Sequence, residues 1–248
     1  MTVRQMQIEF ERRVQTFDTT EVAAGKMTSD TILSFLNEAI DKFYKTRYSG
    51  LNLWKSGFEQ TQKRTDDLRN LVKSKTYPLS DKDASTPIEK NGNEYNVTLP
   101  SDYTILLGDT AGIVPNTKNP CWPKDSKGDY IVKPVDTLES TIETIDRQKA
   151  DPLSEYHLKY CTARPLKLIA GDKIYLYTDG NYEVSEYTIK YLSKPAMLTN
   201  ADLMSTEEYS SFPAHAHMEI VKIAVELYMA TKPVQHYSAY AGEVQTME

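Results

Sequence analysis

The stretch PAHAHMEIVKIAVELYMATK, residues 213–232, decides how the rest of the chain is read. Ile220, Val221, Ala224, Val225, Leu227 and Tyr228 recur at helical spacing, yet they cover well over half the circumference. A surface helix carries one apolar stripe, so a helix this apolar touches protein on more than one side and reads as a wedge. Pro213 suits its first turn, where a missing N–H costs nothing.

A wedge needs partners, and the other end of the chain supplies them. Val3, Met6, Phe10, Val14 and Phe17 step by three or four and mark one apolar face of a first helix over residues 2–17. EVAAGKM, with Gly25, breaks it. Thr28, Ser29 and Asp30 offer N-cap oxygens to a second helix through TILSFLNEAIDKFYKTRY. Its stripe is Ile32, Phe35 or Leu36, Ala39 or Ile40, and Phe43 or Tyr44, and Gly50 is placed to end it in a left-handed turn. A third helix is expected over residues 53–75. It is far more polar, with Phe58, Leu68, Leu71 and Val72 set among Gln60, Gln62, Lys63, Arg64, Asp66, Asp67 and Arg69. Such a helix lies on the outside or bridges subunits.

At Tyr77-Pro78 the period changes, and to about Leu198 prolines, glycines and Asn-Gly or Asp-Gly pairs separate short β-type runs. Residues 86–99 read as a hairpin turning at Asn91-Gly92-Asn93, with Tyr95, Val97 and Leu99 on one face. A short strand, Thr104 to Leu107, is expected to close at Gly108-Asp109. PNTKNPCWPKDSKGDY, residues 115–130, is loop by composition, and a loop of this length tends to be functional or to contact a partner. Leu138, Ile142 and Ile145 face inward from either a short helix or irregular strand. Tyr156, Leu158, Tyr160 and Thr162 alternate as a strand ending at Arg164-Pro165. Lys173–Tyr177 and Tyr182–Tyr191 read as a second hairpin, turning at Asp179-Gly180-Asn181. From Pro233 the tail has no period.

Hydrophobic residues make up 40% of the chain and the mean hydropathy is −0.54, as in a soluble protein with much exposed or partner-covered surface. No run approaches a membrane span, and MTVRQMQIEFERR lacks the apolar core of a signal peptide, so the chain is expected to be cytosolic when made. A net charge of −6 argues against a general nucleic-acid binder, which needs a clustered basic face. Tyrosine stands out, with 17 copies against 6 phenylalanines. It suits strands on wet interfaces, and it equally suits the inside of a β-rich domain.

No residue set carries a catalytic signature. His215 and His217 lie about 200° apart round a helix and cannot share an ion. His157 and His236 have no spaced partners. Asp66-Asp67 and Glu207-Glu208 are adjacent pairs that diverge, and Glu139, Glu143 and Asp146 on one helical face read as solvated surface. Cys121 and Cys161 give no zinc spacing, and a structural disulfide is disfavoured in a reducing compartment. The aromatic strands 175–177 and 182–191 are weighed as a sugar platform, but alternation spreads their side chains over both sheet faces. Catalytic, cofactor-binding and metal residues are therefore all expected to be none.

Two or three N-terminal helices, a β-rich middle and one returning helix make up the order of elements. With LPSDYTILL after a hairpin, HLKYCTARP, and PAHAHMEIVKIAVELYMATKP as the closing helix, residues 1–232 resemble the head-to-tail adaptors of short-tailed bacteriophages. The likeness is greatest to the ring proteins beneath the portal in crAss-like phages, and the organisation is similar to the tail tubular adaptor of T7-like phages. The resemblance implies an α+β fold in which residues 1–76 and 199–232 form one helical bundle and 77–198 an inserted, sandwich-like antiparallel β domain, with 233–248 as tail. It implies a structural virion protein of the phage neck, without enzyme activity or cofactor, assembled in the host cytoplasm. Its copies, twelve by analogy, would form a ring bound to the portal protein and to other neck or tail rings. Double-stranded DNA would pass through an acidic channel without sequence-specific binding, and no membrane is involved. The polar helix 53–75 and the tyrosine-rich strands are the candidate ring faces. A tail or decoration protein binding host glycan through the β domain is the alternative.

Overall fold

The computed structural model describes residues 1–17, 27–49, 58–79, 87–231 and 244. Gly25, Gly50 and His236, with nearly all of the tail, lie outside the described residues. The fold is α+β, and the chain divides into two compact units, residues 1–72 with 194–248 and residues 73–193.

The helical unit is built on α1 (Val3–Phe17), α2 (Ser29–Ser49), the short α3 (Gln62–Leu68) and, returning after the β region, the helix His217–Ala230. α1 starts in a capping box. Gln5 N–H donates to Thr2 Oγ1 at 3.2 Å, and Thr2 N–H donates to Gln5 Oε1 at 3.0 Å. Thr28 caps α2 by accepting the Thr31 N–H at 3.3 Å. The stripes Val3, Met6, Phe10, Val14 and Ile32, Leu36, Ala39, Ile40, Phe43 are all buried. The returning helix buries Ile220, Val221, Ile223, Ala224, Val225, Tyr228 and Met229, and the Tyr228 ring packs edge-on against Phe10 and Phe35. It is thus apolar on several sides because it packs on α1 and α2 together. Leu227 is only partly buried. The helix also begins later than expected. Residues 214–216 form a turn closed by Ala216 N–H on Pro213 O at 3.0 Å, so Pro213 precedes the helix.

The expected helix 53–75 does not run through. α3 ends at Leu68, a 3-10 turn covers Arg69–Leu71, and Val72 begins strand β1 (Val72–Pro78). Only Tyr77 of that strand is buried, so no alternation announced it.

The second unit is a sandwich of two sheets. After β1 come β2 (Glu89–Asn91), β3 (Glu94–Thr98), β4 (Tyr103–Pro115), β5 (Lys133–Val135), β6 (Leu138–Glu139), α4 (Ile145–Ala150), β7 (Leu166–Ala170), β8 (Lys173–Tyr177) and β9 (Tyr182–Ser193). α5 is the returning helix His217–Ala230. One sheet has the order β1-β9-β4-β5, the other β2-β3-β8-β7-β6. β2 and β3 form the expected hairpin, with Asn91 opposite Glu94 and Gly92 at φ +63°. β8 and β9 do not pair. β8 lies between β3 and β7, while β9 pairs with β4 in the other sheet, so Asp179-Gly180-Asn181 carries the chain from sheet to sheet. The hairpin partner of β8 is β7, joined at Gly171-Asp172 with Gly171 at φ +61°, where a Cβ would be strained.

Of three register shifts between β4 and β9, two set which side chains of their central stretches face inward. β4 runs straight through Gly108-Asp109 instead of closing there. Leu107 is the extra residue of a bulge, and beyond it Asp109 pairs with Ile189. In β9 Ser185 is extra, since Gly112 pairs with Glu186 and Ile113 with Val184. That slip keeps Tyr182, Val184, Tyr187, Ile189 and Tyr191 on one buried face against Tyr95, Val97, Ile174 and Leu176. Residues 156–162, expected as a strand, form turns, with Tyr160 left-handed at φ +55°. Of the residues left open between helix and strand, Leu138 is in β6, Ile145 is buried in α4, and Ile142 is exposed.

Candidate functional site

The polar residues held inside the sandwich converge on Asp109. Its carboxylate accepts from Lys167 Nζ at 2.7 Å, from the Tyr187 hydroxyl at 2.8 Å and from the Thr137 hydroxyl. Pairing of Leu166 with Tyr177 and of Lys167 with Leu176 turns Lys167 to the inner face, while Leu166 packs on Ile145 and Tyr156 outside. The Lys167 and Asp109 side chains are 8% and 7% exposed, so the pair is out of water. Burial first, then the Asp109 charge, pushes the Tyr187 hydroxyl far above its ordinary range. Both carboxylate oxygens of Asp109 are engaged by protein donors from the two sheets, which makes this a cross-sheet tie.

Four other tyrosines of the sandwich behave alike. The hydroxyls of Tyr77, Tyr156 and Tyr182 donate to the carbonyls of Thr98, Thr178 and Tyr156, and that of Tyr191 to Asp102 Oδ1. Tyrosine is abundant here because strands of an all-β core need large apolar bodies whose tips can reach backbone. Tyr182, Tyr187 and Tyr191 are therefore closed to a sugar, and Tyr177 lies under the Lys149 ammonium. Alternation had spread these tyrosines over both faces; the Ser185 bulge gathers three of them inside.

The helical unit also hides its charges. Arg47 Nε lies 2.8 Å from Asp67 Oδ2, both side chains almost fully buried, and the same guanidinium reaches Glu219. His215 Nε2 sits 2.9 Å from Asp67 Oδ1, and Lys63 is 3.2 Å from Glu219. The short helix α3 is thus polar because Asp67 and Arg64 turn inward, with Arg64 Nη1 donating to Thr46 O at 3.3 Å. His217 is buried between the Met1 ammonium, 2.8 Å from Nδ1, and Phe212 O, 3.0 Å from Nε2. Nδ1 must accept and Nε2 must donate, which fixes the neutral tautomer. Burial, then the ammonium, lowers its pKa.

The remaining candidates stay apart. Asp66 is half-buried beside the buried Asp67, and Glu207 and Glu208 lie outside any helix. Glu139 is in β6 and Asp146 in α4, so they share no helical face with Glu143. His157 stands 3.9 Å from Asp179 in a turn. Among the described residues no group of three or more His, Cys, Asp or Glu is gathered round one point. A groove of about 580 Å³ beside β5 holds Lys133, Lys159 and Arg164, each already engaged. Lys133 donates to Cys161 O, Lys159 to Leu153 O, and Arg164 to Glu155 and Asp136 O. The two cysteines, unrelated in sequence, meet: the Cys161 thiol donates to Cys121 O at 2.9 Å.

Residues 1–239 match the family of phage tail ring proteins 3/4, the ring proteins of crAss-like phages. The chain belongs to that family. No curated protein matches it. The family assigns this ring protein a structural role in the phage tail or neck, within the virion and in an oligomeric assembly. Among the described residues no helix is long and apolar enough to cross a membrane.

A ring protein must present two different surfaces to its neighbours. Of the faces expected from sequence, Tyr182, Tyr187 and Tyr191 lie inside the sandwich, while Gln62, Lys63 and Thr65 of α3 are exposed. The ring protein also exposes large apolar side chains. Leu153 and Tyr160, 82% and 87% exposed, stand in one segment of the sandwich, tied together by the Lys159–Leu153 hydrogen bond. Met197 and Met204 are exposed in the helical unit. Their segments have no period, so the sequence signalled them only as apolar residues among turn formers.

Proposed function

We propose that this ring protein forms the phage neck ring below the portal, joining head to tail and lining the channel through which the genome leaves. Copies close into a ring, twelve by analogy with the family's resemblance to head-to-tail adaptors, and the ring docks on the portal and on further neck or tail rings. The role is structural, without catalysis, cofactor or membrane binding, and the ring is put together in the host cytoplasm. The family match over residues 1–239 carries this reading. The charge of −6 supports it, since DNA slides past an acidic wall instead of sticking. Leu153 and Tyr160, large apolar side chains left outside, support a protein whose work is contact between copies.

Light scattering on the protein alone and mixed with purified portal tests it. A multi-copy species carrying portal is expected in the mixture, and Tyr160→Asp together with Leu153→Asp is expected to shift it toward free monomer. Monomers alone, with portal present, would overturn the reading.

A further inference from the structure

Cys121 sits in the loop after β4 and Cys161 in the turn segment before β7, and the backbone of each is pinned against the other. Asn119 joins the two segments, its Nδ2 donating to Tyr160 O at 2.6 Å and its Oδ1 accepting the Cys121 N–H at 3.0 Å. Lys133 Nζ holds Cys161 O at 2.7 Å, and the pairing of Lys159 with Thr162 closes the turn that contains Cys161. Left-handed backbone at Tyr160, costly for a bulky residue, is kept there and sends its ring to solvent while Cys161 turns to Cys121. The Cys161 sulfur lies 2.9 Å from the Cys121 carbonyl oxygen, which brings the two residues side by side. Cys121 is exposed and Cys161 half-buried, an arrangement of one accessible sulfur with a second waiting beside it.

We infer that Cys121 and Cys161 form a reversible intramolecular disulfide when the protein meets a small-molecule disulfide. The Cys121 thiolate attacks one sulfur of oxidised glutathione and expels one glutathione thiolate, leaving a mixed disulfide on Cys121. The Cys161 thiolate then attacks the Cys121 sulfur and expels the second glutathione. The protein gives up two electrons and two protons, and both appear in two molecules of reduced glutathione. In the reduced protein burial and the neighbouring Cys121 raise the Cys161 pKa, which makes Cys161 the poorer first nucleophile. The bond staples the loop after β4 to the segment that carries Leu153 and Tyr160. Any effect on assembly rests on the ring-contact reading above; the bond itself does not.

Purified full-length protein incubated with oxidised glutathione tests the inference by non-reducing peptide mapping and free-thiol titration. The expected product is one 121–161 linked peptide pair, a mass lower by two hydrogens and no free thiol. Its melting midpoint should rise by roughly 5 °C or more, reversed by dithiothreitol. Cys121→Ser and Cys161→Ser should each stop at a single glutathione adduct without that shift. Two separate glutathione adducts, unreacted thiols, or disulfide-linked dimers in the native protein would overturn it. Mixing oxidised and reduced protein with portal in parallel separates failure of the ring reading from failure of the disulfide, which the mapping alone decides.

Discussion

The two units keep polar groups inside by opposite means. The helical unit buries charge, with Arg47 between Asp67 and Glu219 and a neutral His217 against an ammonium. The sandwich buries tyrosines whose hydroxyls end on backbone carbonyls or on carboxylates, and it admits charge at Lys167–Asp109. In the helical unit the buried charges of Arg47 and Asp67 meet other side chains, and His217 and Arg64 also reach the Phe212 and Thr46 carbonyls. In the sandwich the carbonyls of Thr98, Thr178 and Tyr156, at or next to strand ends and in a turn, lie within reach of a tyrosine tip, so a hydroxyl suffices. The helical unit should therefore be the acid-sensitive half and the sandwich the alkali-sensitive one.

The comparison breaks most severely at α5. Ile220→Asp places an unpaired charge where the side chain is fully buried and is expected to cost about 4 kcal/mol or more, seen as loss of helical circular dichroism. Leu227→Asp, at a partly buried position, should be far milder. Next come the two buried pairs. Asp109→Asn strands Lys167 at about 3 kcal/mol or more, and Asp67→Asn, which leaves Arg47 its Glu219 partner, should cost less. In a Trp54→Phe background the buried Trp122 reports the sandwich, so Asp109→Asn should move the fluorescence transition and Asp67→Asn the helical signal. Tyr187→Phe removes one of three donors to Asp109 and should cost about 1 kcal/mol.

How much of this was legible divides along the same line. α1, α2 and α5 could be read because packing writes a stripe every three or four residues, and Val3, Met6, Phe10 and Val14 are all buried as that stripe requires. The 53–75 helix misled because Arg64 and Asp67, polar and therefore assigned outward, are buried by partners from other helices that a local window does not contain. In the β unit the Asp179-Gly180-Asn181 turn was recognised, but a turn does not say which sheet the next strand joins. Bulges at Leu107 and Ser185 hid the inward positions of Asp109 and Tyr187 by shifting a two-residue period by one. The exposed Leu153 and Tyr160 and the Cys121–Cys161 approach depend on loops packing together, for which no period exists.

The smallest expected effects are those of pH, and they sharpen the contrast. His217 is held below its ordinary value of 6.5, so the unfolded chain takes up a proton there that the folded protein refuses. Stability of the helical unit should fall as pH drops through about 6.5, and His217→Gln should flatten that slope. Tyr77, Tyr156 and Tyr191 are pushed up to about 12 from 10.0, against Tyr209 in the helical unit. Unfolded tyrosines lose a proton near 10 that folded ones keep, so the sandwich should weaken progressively between about pH 10 and 12, read by Trp122 fluorescence.

The central proposal is that copies of this protein, each with these two dissimilar interiors, close a ring on the portal. Electron microscopy of the protein mixed with purified portal tests it most directly. A closed ring of copies stacked coaxially on the portal is the predicted image. Single subunits, or open filaments that ignore the portal, would contradict it.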